Sequence, residues 1–108
     1  MKRGDVVTVV APGAYGKPRP AVVVQSDILN AEHTSVLVVL MTSTLVDAPL
    51  FRLTVLPTPA NGLKKASQAM VDRVVALPKD RVGAVIGRLD EAALLGLNRA
   101  LAFVFGLG

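Results

Sequence analysis

The sequence has no cysteine and no tryptophan among its 108 residues, and its only histidine is His33. The absence of cysteine excludes both a disulfide framework and a thiolate metal site. One imidazole and scattered carboxylates do not form the spacing of a known metal-binding motif, so we expect no metal and no cofactor. With only three phenylalanines and one tyrosine, the core must be built from aliphatic side chains.

Long hydrophobic runs are also missing. Asp5 and Thr8 interrupt the apolar N-terminal segment, which argues against a signal peptide. The apolar tail over residues 100–108 is too short to span a bilayer. We therefore expect one domain over residues 1–108, in the cytoplasm and without membrane association.

The charge is unbalanced in the positive direction. The chain has twelve lysines and arginines and eight acidic residues, which gives a net charge of +4. This favours an anionic partner, either a nucleic acid or an acidic protein. Hydrophobic residues make up 52% of so short a chain, which suggests that a second subunit covers part of the apolar surface.

Valine is frequent and clustered, which favours strands over helices. The predicted strands cover residues 6–10, 21–25, 35–41, 51–56, 67–77 and 83–89. Asp90 is a good N-cap for a final Ala- and Leu-rich helix, in which Leu94, Leu97 and Leu101 recur at helical spacing. The pattern predicts a mainly β, α+β fold: a small, strongly bent sheet or SH3-like barrel with a C-terminal helix.

Two short segments are candidates for chemistry. Arg19 lies between Pro18 and Pro20, which stiffen the backbone that carries its guanidinium. Such a fork of donors suits phosphate oxygens. Thr42 and Ser43 follow an apolar strand, where their hydroxyls could donate to a phosphate. Either segment could equally be an ordinary strand end with a surface side chain.

Other polar residues are weaker candidates. Asp72 and Arg73 are neighbours inside a predicted strand, so one of them should point inward unless the strand lies at an edge. Tyr15 could stack on a base. Basic residues that could guide a polyanion, or simply be solvated, are Lys17, Arg52, Lys64 and Lys65.

In order and spacing, several segments together resemble the MazF/PemK toxin family over about residues 2–107. They are RGDVV at 3–7, KPRPAVVVQ at 17–25, Thr42-Ser43, NGL at 61–63, SQAMVD at 67–72, IGRL at 86–89 and the closing helix. The resemblance implies a CcdB/PemK-type barrel that dimerises and cuts single-stranded RNA. It also implies inhibition by an antitoxin with an acidic, disordered tail.

The resemblance also implies roles for single residues. Arg19 and Thr42 correspond to catalytic positions, with Ser43 beside them, and Gln25 is expected to contact RNA. Many members carry an acid, then Gln, then a basic residue three places after the acid; here Asp72 is followed directly by Arg73. This departure leaves Asp72 as a candidate proton acceptor and Arg73 as a candidate RNA contact.

We therefore predict a metal-independent endoribonuclease toxin that uses the 2′-hydroxyl of its substrate as the nucleophile. Two other functions fit the same predicted fold. A CcdB-type toxin would bind gyrase through its helix and dimer surface, and a non-catalytic SH3-like module would hold an acidic peptide. Cleavage of RNA into specific fragments separates the first function from the other two.

Overall fold

Valine-rich segments form a six-stranded antiparallel sheet in a computed structural model of the chain, which describes residues 1–10 and 16–108. The strands are β1 (Asp5–Val9), β2 (Arg19–Val23), β3 (Ser35–Thr42), β4 (Arg52–Val55), β5 (Ser67–Pro78) and β6 (Val82–Arg88). The helices are α1 (Asp27–Asn30) and α2 (Glu91–Val104), and a 3-10 turn covers Lys79–Arg81. The predicted mainly β class with a C-terminal helix is confirmed.

The strands lie in the order β4-β5-β3-β2-β1-β6. The long strand β5 pairs with β4 along its first third and with β3 along most of its length. The β3–β5 register shifts between Val39, which pairs with Val74, and Met41, which pairs with Ala69. Between these two pairs β3 has one residue, Leu40, whereas β5 has four, residues 70–73. Such an irregularity bends a strand and increases its twist.

Both faces of the central strands are buried, which explains why β1, β2 and β3 are almost continuously apolar. Val6, Val22 and Val39 belong to one core cluster, which also contains buried residues of α2. Their strand neighbours, among them Val7 and Val23, belong to a second cluster on the other face. At about 25 cal/mol per Å² of apolar area, this two-sided burial is the main source of stability.

The loop between β4 and β5 packs across β6. The backbone N–H of Arg88 donates to the carbonyl of Ala60 at 2.8 Å. Gly62 and Gly87 make this approach possible, because a Cβ on Gly62 would overlap the backbone of Ile86 and one on Gly87 would overlap Asn61. The loop thus links the β4 and β6 edges of the sheet without strand pairing.

Helix α2 begins at the predicted cap. The Asp90 carboxylate accepts from the backbone N–H of Ala93 at 2.8 Å, and Leu97, Ala100 and Leu101 are buried against β4 and β5. In the described part of the chain, no helix is long and apolar enough to cross a membrane.

Two local differences from the predicted elements concern β2 and the segment after it. β2 begins at Arg19 rather than Ala21, because Arg19 and Pro20 already pair with Val9 and Thr8 of β1. The segment after β2, for which no helix or strand was predicted, contains the single-turn helix α1, whose N-cap hydroxyl on Ser26 accepts from the Ile28 N–H at 3.3 Å.

Candidate functional site

A groove of about 540 Å³ lies where β2 begins and β3 ends. The loop between β4 and β5 forms its other wall. The lining residues are Thr8, Lys17, Pro18, Arg19, Pro20, Met41, Thr42, Ser43, Gly62, Leu63, Lys64, Lys65, Ser67 and Ile86. The structure therefore brings Arg19 into one groove with Thr42 and Ser43, which lie far from it in the sequence.

Arg19 and Thr42 face each other across two neighbouring strands. Ala21 pairs with Leu40 in the antiparallel register of β2 and β3, and continuing this register by two residues puts Arg19 opposite Thr42. Residues opposed in this way project from the same face, with Cβ atoms about 4.5–5.5 Å apart. The guanidinium and the hydroxyl can therefore contact one phosphate group.

Arg19 is held on a stiff backbone. Its strand partner in β1 is Val9, and the next residue, Pro20, pairs with Thr8. The flanking prolines fix their own φ angles, and Pro20 restricts Arg19 to extended conformations. Because the Arg19 side chain is exposed, its guanidinium is available to a ligand without a rearrangement of the strand.

The two residues stand at the rim of the groove rather than on its floor. Successive side chains of a strand point to opposite faces. Pro20 and Met41 are the neighbours of Arg19 and Thr42 in the chain, so they project from the other face together with Thr8, the partner of Pro20. Because Met41 is buried, a ligand in the groove would meet Thr8 and Pro20 on its floor and the polar groups of Arg19 and Thr42 at its edge.

The Thr42 hydroxyl has a defined role in the local hydrogen bonding. Its Oγ1 accepts from the backbone N–H of Thr44 at 3.1 Å. An oxygen that accepts this bond still carries its own hydrogen, so the hydroxyl remains able to donate. Ser43 is exposed and also lines the groove, which adds a second hydroxyl beside the first.

Three exposed lysines give the groove a basic rim. Lys17 precedes β2, and Lys64 and Lys65 come from the loop before β5. No Asp, Glu or His is among the lining residues in the described part of the chain. The electrostatic potential of the groove is therefore positive, which favours a polyanion.

Asn61 fixes the loop that carries these lysines. Its side chain is 4% exposed; Oδ1 accepts from the N–H groups of Thr58 and Leu63, both at 3.0 Å, and Nδ2 donates to the Leu56 carbonyl at 2.9 Å. Gly62 follows with a φ of 70°, a conformation that glycine adopts without strain. These hydrogen bonds hold the loop up to Leu63. Lys64 and Lys65 come next in the chain, and their side chains are exposed.

Gln25 lies away from the groove. Its side chain is 4% exposed, and its Nε2 donates to Asn30 Oδ1 at 3.0 Å and to the Ser35 carbonyl at 3.1 Å. A buried amide with these partners connects α1 to β3 and is not available at the surface. The structure therefore gives no support to the expected RNA contact of Gln25.

Arg52 is also outside the groove lining. Its Nη1 donates to Gln68 Oε1 at 3.3 Å, and its Nε is buried without a partner among the described residues. The side chain is directed along the sheet to Gln68 rather than presented to solvent. Its expected RNA contact has no support in this arrangement.

Asp72 and Arg73 are both exposed and neither lines the groove. They lie in the irregular stretch of β5, where the strict alternation of side chains fails, so neither has to point inward. His33 is exposed as well. Tyr15 lies outside the described residues.

Two polar groove residues were not among the sequence candidates. Thr8 and Ser67 line the groove, and the Ser67 hydroxyl donates to the Lys65 carbonyl at 2.9 Å. Thr8 was detectable in principle, because it is the single polar residue in the first predicted strand. Ser67 had no such signal, since a serine at the start of a strand is common.

The acidic groups lie elsewhere on the surface. The Asp5 carboxylate pairs with Arg88 at 3.1 Å. The pKa of Asp27 is lowered, first because its carboxylate accepts from the backbone N–H of Arg3 at 2.6 Å. No group of three His, Cys, Asp or Glu side chains with metal-binding spacing occurs within residues 1–10 and 16–108.

Two sequence comparisons show which known proteins the chain is similar to. A sequence model of the "PemK-like, MazF-like toxin of type II toxin-antitoxin system" family matches residues 2–105. The probable endoribonuclease MazF of Mycolicibacterium smegmatis is 43% identical over 108 residues, which covers 99% of this chain and 98% of that relative.

Solved structures agree in fold. An endoribonuclease in complex with its cognate antitoxin, from a mycobacterial species, superposes with a TM-score of 0.83 at 25% identity and covers 100% of this chain and 97% of that one. The Mycobacterium tuberculosis toxin MazF-mt6 superposes equally well, with a TM-score of 0.83 at 22% identity, over 96% of this chain and 98% of that one.

Proposed function

The chain belongs to the family of PemK-like and MazF-like toxins of type II toxin–antitoxin systems, and we propose that it is a metal-independent endoribonuclease that cuts single-stranded RNA at short sequences. The observation that carries the proposal is the opposed pair of Arg19 and Thr42 at the rim of a basic groove. The 43% identical endoribonuclease supports the same class of reaction.

RNA supplies its own nucleophile in this reaction. The 2′-oxygen attacks the adjacent phosphorus, the bond from phosphorus to the 5′-oxygen breaks, and the products carry a 2′,3′-cyclic phosphate and a free 5′-hydroxyl. The enzyme has to hold the phosphate in line and stabilise the charge that develops on it. This chemistry needs no metal-bound water.

Arg19 stabilises the charge on the nonbridging phosphate oxygens, and Thr42 donates a hydrogen bond to one of them. A guanidinium stays protonated in proteins and cannot accept the proton of the 2′-hydroxyl. Because no carboxylate or imidazole lines the described groove, we assign this proton to water, and we assign to water as well the proton that the departing 5′-oxygen takes up. Asp72 stays a candidate acceptor from the sequence alone.

The lysines hold the rest of the RNA. Lys17, Lys64 and Lys65 surround the groove, where they can pair with phosphates on either side of the scissile bond. The half-buried side chain of Ile86 in the groove can contact the face of a base. Phosphate contacts of this kind provide affinity and position the strand without reading its sequence.

We further propose a homodimer that acts in the cytoplasm and is inhibited by an antitoxin with an acidic, disordered tail. Apolar side chains such as Leu37, Leu50 and Val85 are exposed at 38%, 60% and 50%, and a second subunit could cover such side chains. The basic rim would attract an acidic tail to the RNA groove. Light scattering of the purified chain tests the dimer directly.

The decisive experiment is to incubate the purified protein with a long, defined RNA in EDTA and to map the 5′ ends of the fragments. We expect a small set of cuts that share a short sequence, with 5′-hydroxyl ends. Intact RNA under these conditions, or cleavage only after a divalent metal is added, would contradict the proposal.

The same experiment separates the two alternative functions. A CcdB-type toxin would leave the RNA intact and bind gyrase, and a non-catalytic module would bind RNA or an acidic peptide without cutting. The match to a probable endoribonuclease over nearly the full length of both chains favours cleavage.

A further inference from the structure

The side chain of Gln68 in β5 uses its full hydrogen-bonding capacity although it is only 5% exposed. Oε1 accepts from the backbone N–H of Val46 at 3.1 Å and from Arg52 Nη1 at 3.3 Å. Nε2 donates to the Val46 carbonyl at 2.9 Å and to Thr54 Oγ1 at 3.1 Å. A buried amide with four partners has one orientation, so it is a rigid anchor.

Gln68 anchors the loop between β3 and β4, residues 43–51. Both backbone polar groups of Val46 are bonded to this one side chain, an arrangement that replaces the strand pairing that the loop lacks. The far end of the loop is fixed separately by a turn, in which the N–H of Arg52 donates to the Ala48 carbonyl at 2.9 Å. The position of the loop near β3 therefore depends on Gln68.

The near end of the same loop orients Thr42. The N–H of Thr44, two residues before Val46, donates to the Thr42 hydroxyl at 3.1 Å. Gln68 is also the strand partner of Thr42, so the two side chains project from one face. The contacts run from Gln68 to Val46, along the backbone to Thr44, and from Thr44 to the Thr42 hydroxyl.

We infer that Gln68 is a positioning residue: by holding Val46, it fixes the Thr44 N–H that directs the Thr42 hydroxyl toward the phosphate. The inference rests on the proposed RNA cleavage for its catalytic consequence. The geometric part, that Gln68 keeps the Thr44–Thr42 hydrogen bond in place, stands on the contacts alone.

The test is a double-mutant cycle of Gln68→Met with Thr42→Val, measured as kcat and KM on an RNA oligonucleotide that the protein cuts. We expect Gln68→Met to lower kcat about tenfold and to change KM less than about twofold, because Arg19 and the lysines still bind the substrate. In the Thr42→Val background the same change should lower kcat by less than about twofold, since its effect passes through Thr42.

Asn30→Leu is the matched control for lost stability. Asn30 lies in α1, away from the groove, and is another buried amide, at 8% exposure. Its side chain forms hydrogen bonds with Gln25 and Asp27. We expect it to lower Tm to a similar degree as Gln68→Met and to leave kcat within about twofold of the unmodified protein. A purely structural role of Gln68 would instead make the two variants alike in kcat.

Gln68→Glu serves as a second variant if Gln68→Met does not fold. The glutamate can still accept from the Val46 N–H and from Arg52. It cannot donate to the Val46 carbonyl and to Thr54 Oγ1, as Nε2 of Gln68 does. The same non-additivity with Thr42→Val is expected. An equal loss of kcat in both backgrounds, or no loss in a folded variant, overturns the inference.

A readout independent of activity separates this inference from the proposed function. Amide hydrogen exchange at Thr44 should be at least about fivefold faster in folded Gln68→Met than in the unmodified protein, and unchanged in Asn30→Leu. Unchanged exchange in Gln68→Met would refute the positioning role. Failure of the unmodified protein to cut any RNA would refute the proposed function while leaving this geometric result interpretable.

Discussion

Arg19 and Thr42 line the same groove from adjacent strands, and the β2–β3 register extended by two residues puts them opposite each other, although 22 residues separate them in the chain. The row continues in both directions: Val9 pairs with Arg19, Thr42 with Gln68, and Gln68 with Thr54. Polar side chains thus occupy four consecutive positions across the sheet. Their relative positions are set by backbone pairing, which is more rigid than a loop and suits a site that must hold a phosphate precisely.

Replacing Arg19 with alanine should lower kcat by about two to three orders of magnitude, the usual loss for a donor that stabilises transition-state charge. The fold should persist, because Arg19 is exposed and contributes no core contact. Single-turnover cleavage of a short RNA measures the effect. Arg99→Ala removes the same charge from the exposed face of α2 and should leave kcat unchanged; a folded Arg19→Ala protein with normal turnover would remove Arg19 from the mechanism.

Replacing the 2′-hydroxyl at the cut site with hydrogen should abolish cleavage while RNA binding remains. The substrate then lacks the nucleophile, whereas its phosphates still meet the lysines of the groove. Electrophoresis of the products and a fluorescence titration of the uncleaved oligonucleotide measure the two properties. A deoxy substitution one nucleotide away is the control, and cleavage at the modified position would show that water or a protein group is the nucleophile.

Removing both Lys64 and Lys65 should raise KM and weaken the salt dependence of RNA binding, with little change in kcat. Each lost phosphate contact should reduce the slope of log K against log salt by about 0.7 for a single strand, so the pair should reduce it by up to about 1.4. The double variant Lys2→Ala/Arg99→Ala removes two charges outside the groove and controls for net charge. Equal slopes in the two double variants would mean that Lys64 and Lys65 act only through the net charge of the protein and not through contacts with individual phosphates.

Much of the fold could be predicted because its elements have strong local signals. Apolar runs, and alternation in the case of β4, predicted all six strands to within two residues at each end, and Asp90 predicted the start of α2. The single-turn helix α1 was missed, because four residues give too short a period to detect. The register shift between β3 and β5 was missed as well, because it depends on the partner strand rather than on the strand's own sequence.

The site was only partly predictable. Two prolines mark Arg19, and the end of an apolar strand marks Thr42. Their catalytic roles were predicted from the family resemblance, and the structure places both residues at one groove. Gln25 and Gln68 show what the sequence conceals. Both glutamines lie in or beside strands, and both are almost fully buried. Only the hydrogen-bond partners reveal that Gln25 ties α1 to β3, whereas Gln68 holds Val46 in the loop after β3.

Gly62 and Gly106 provide a matched test of how the loop between β4 and β5 is held. Both have a φ of 70°, so alanine at either position suffers the same left-handed strain, about 1–2 kcal/mol. A Cβ at Gly106 would meet no atom within 4 Å, whereas one at Gly62 would overlap the backbone of Ile86 in β6. Gly62→Ala should therefore lower the free energy of unfolding by about 2 kcal/mol more than Gly106→Ala, as measured by urea denaturation.

The same comparison reports on the groove. Gly62 and Ile86 both line it, so relief of the overlap must move the loop that carries Leu63, Lys64 and Lys65. We expect Gly62→Ala to raise KM for RNA at a temperature where the protein is folded, while Gly106→Ala leaves KM unchanged. Equal stability losses in the two variants would show that the loop yields freely, and the close approach of Gly62 to β6 would then not be what positions the basic wall of the site.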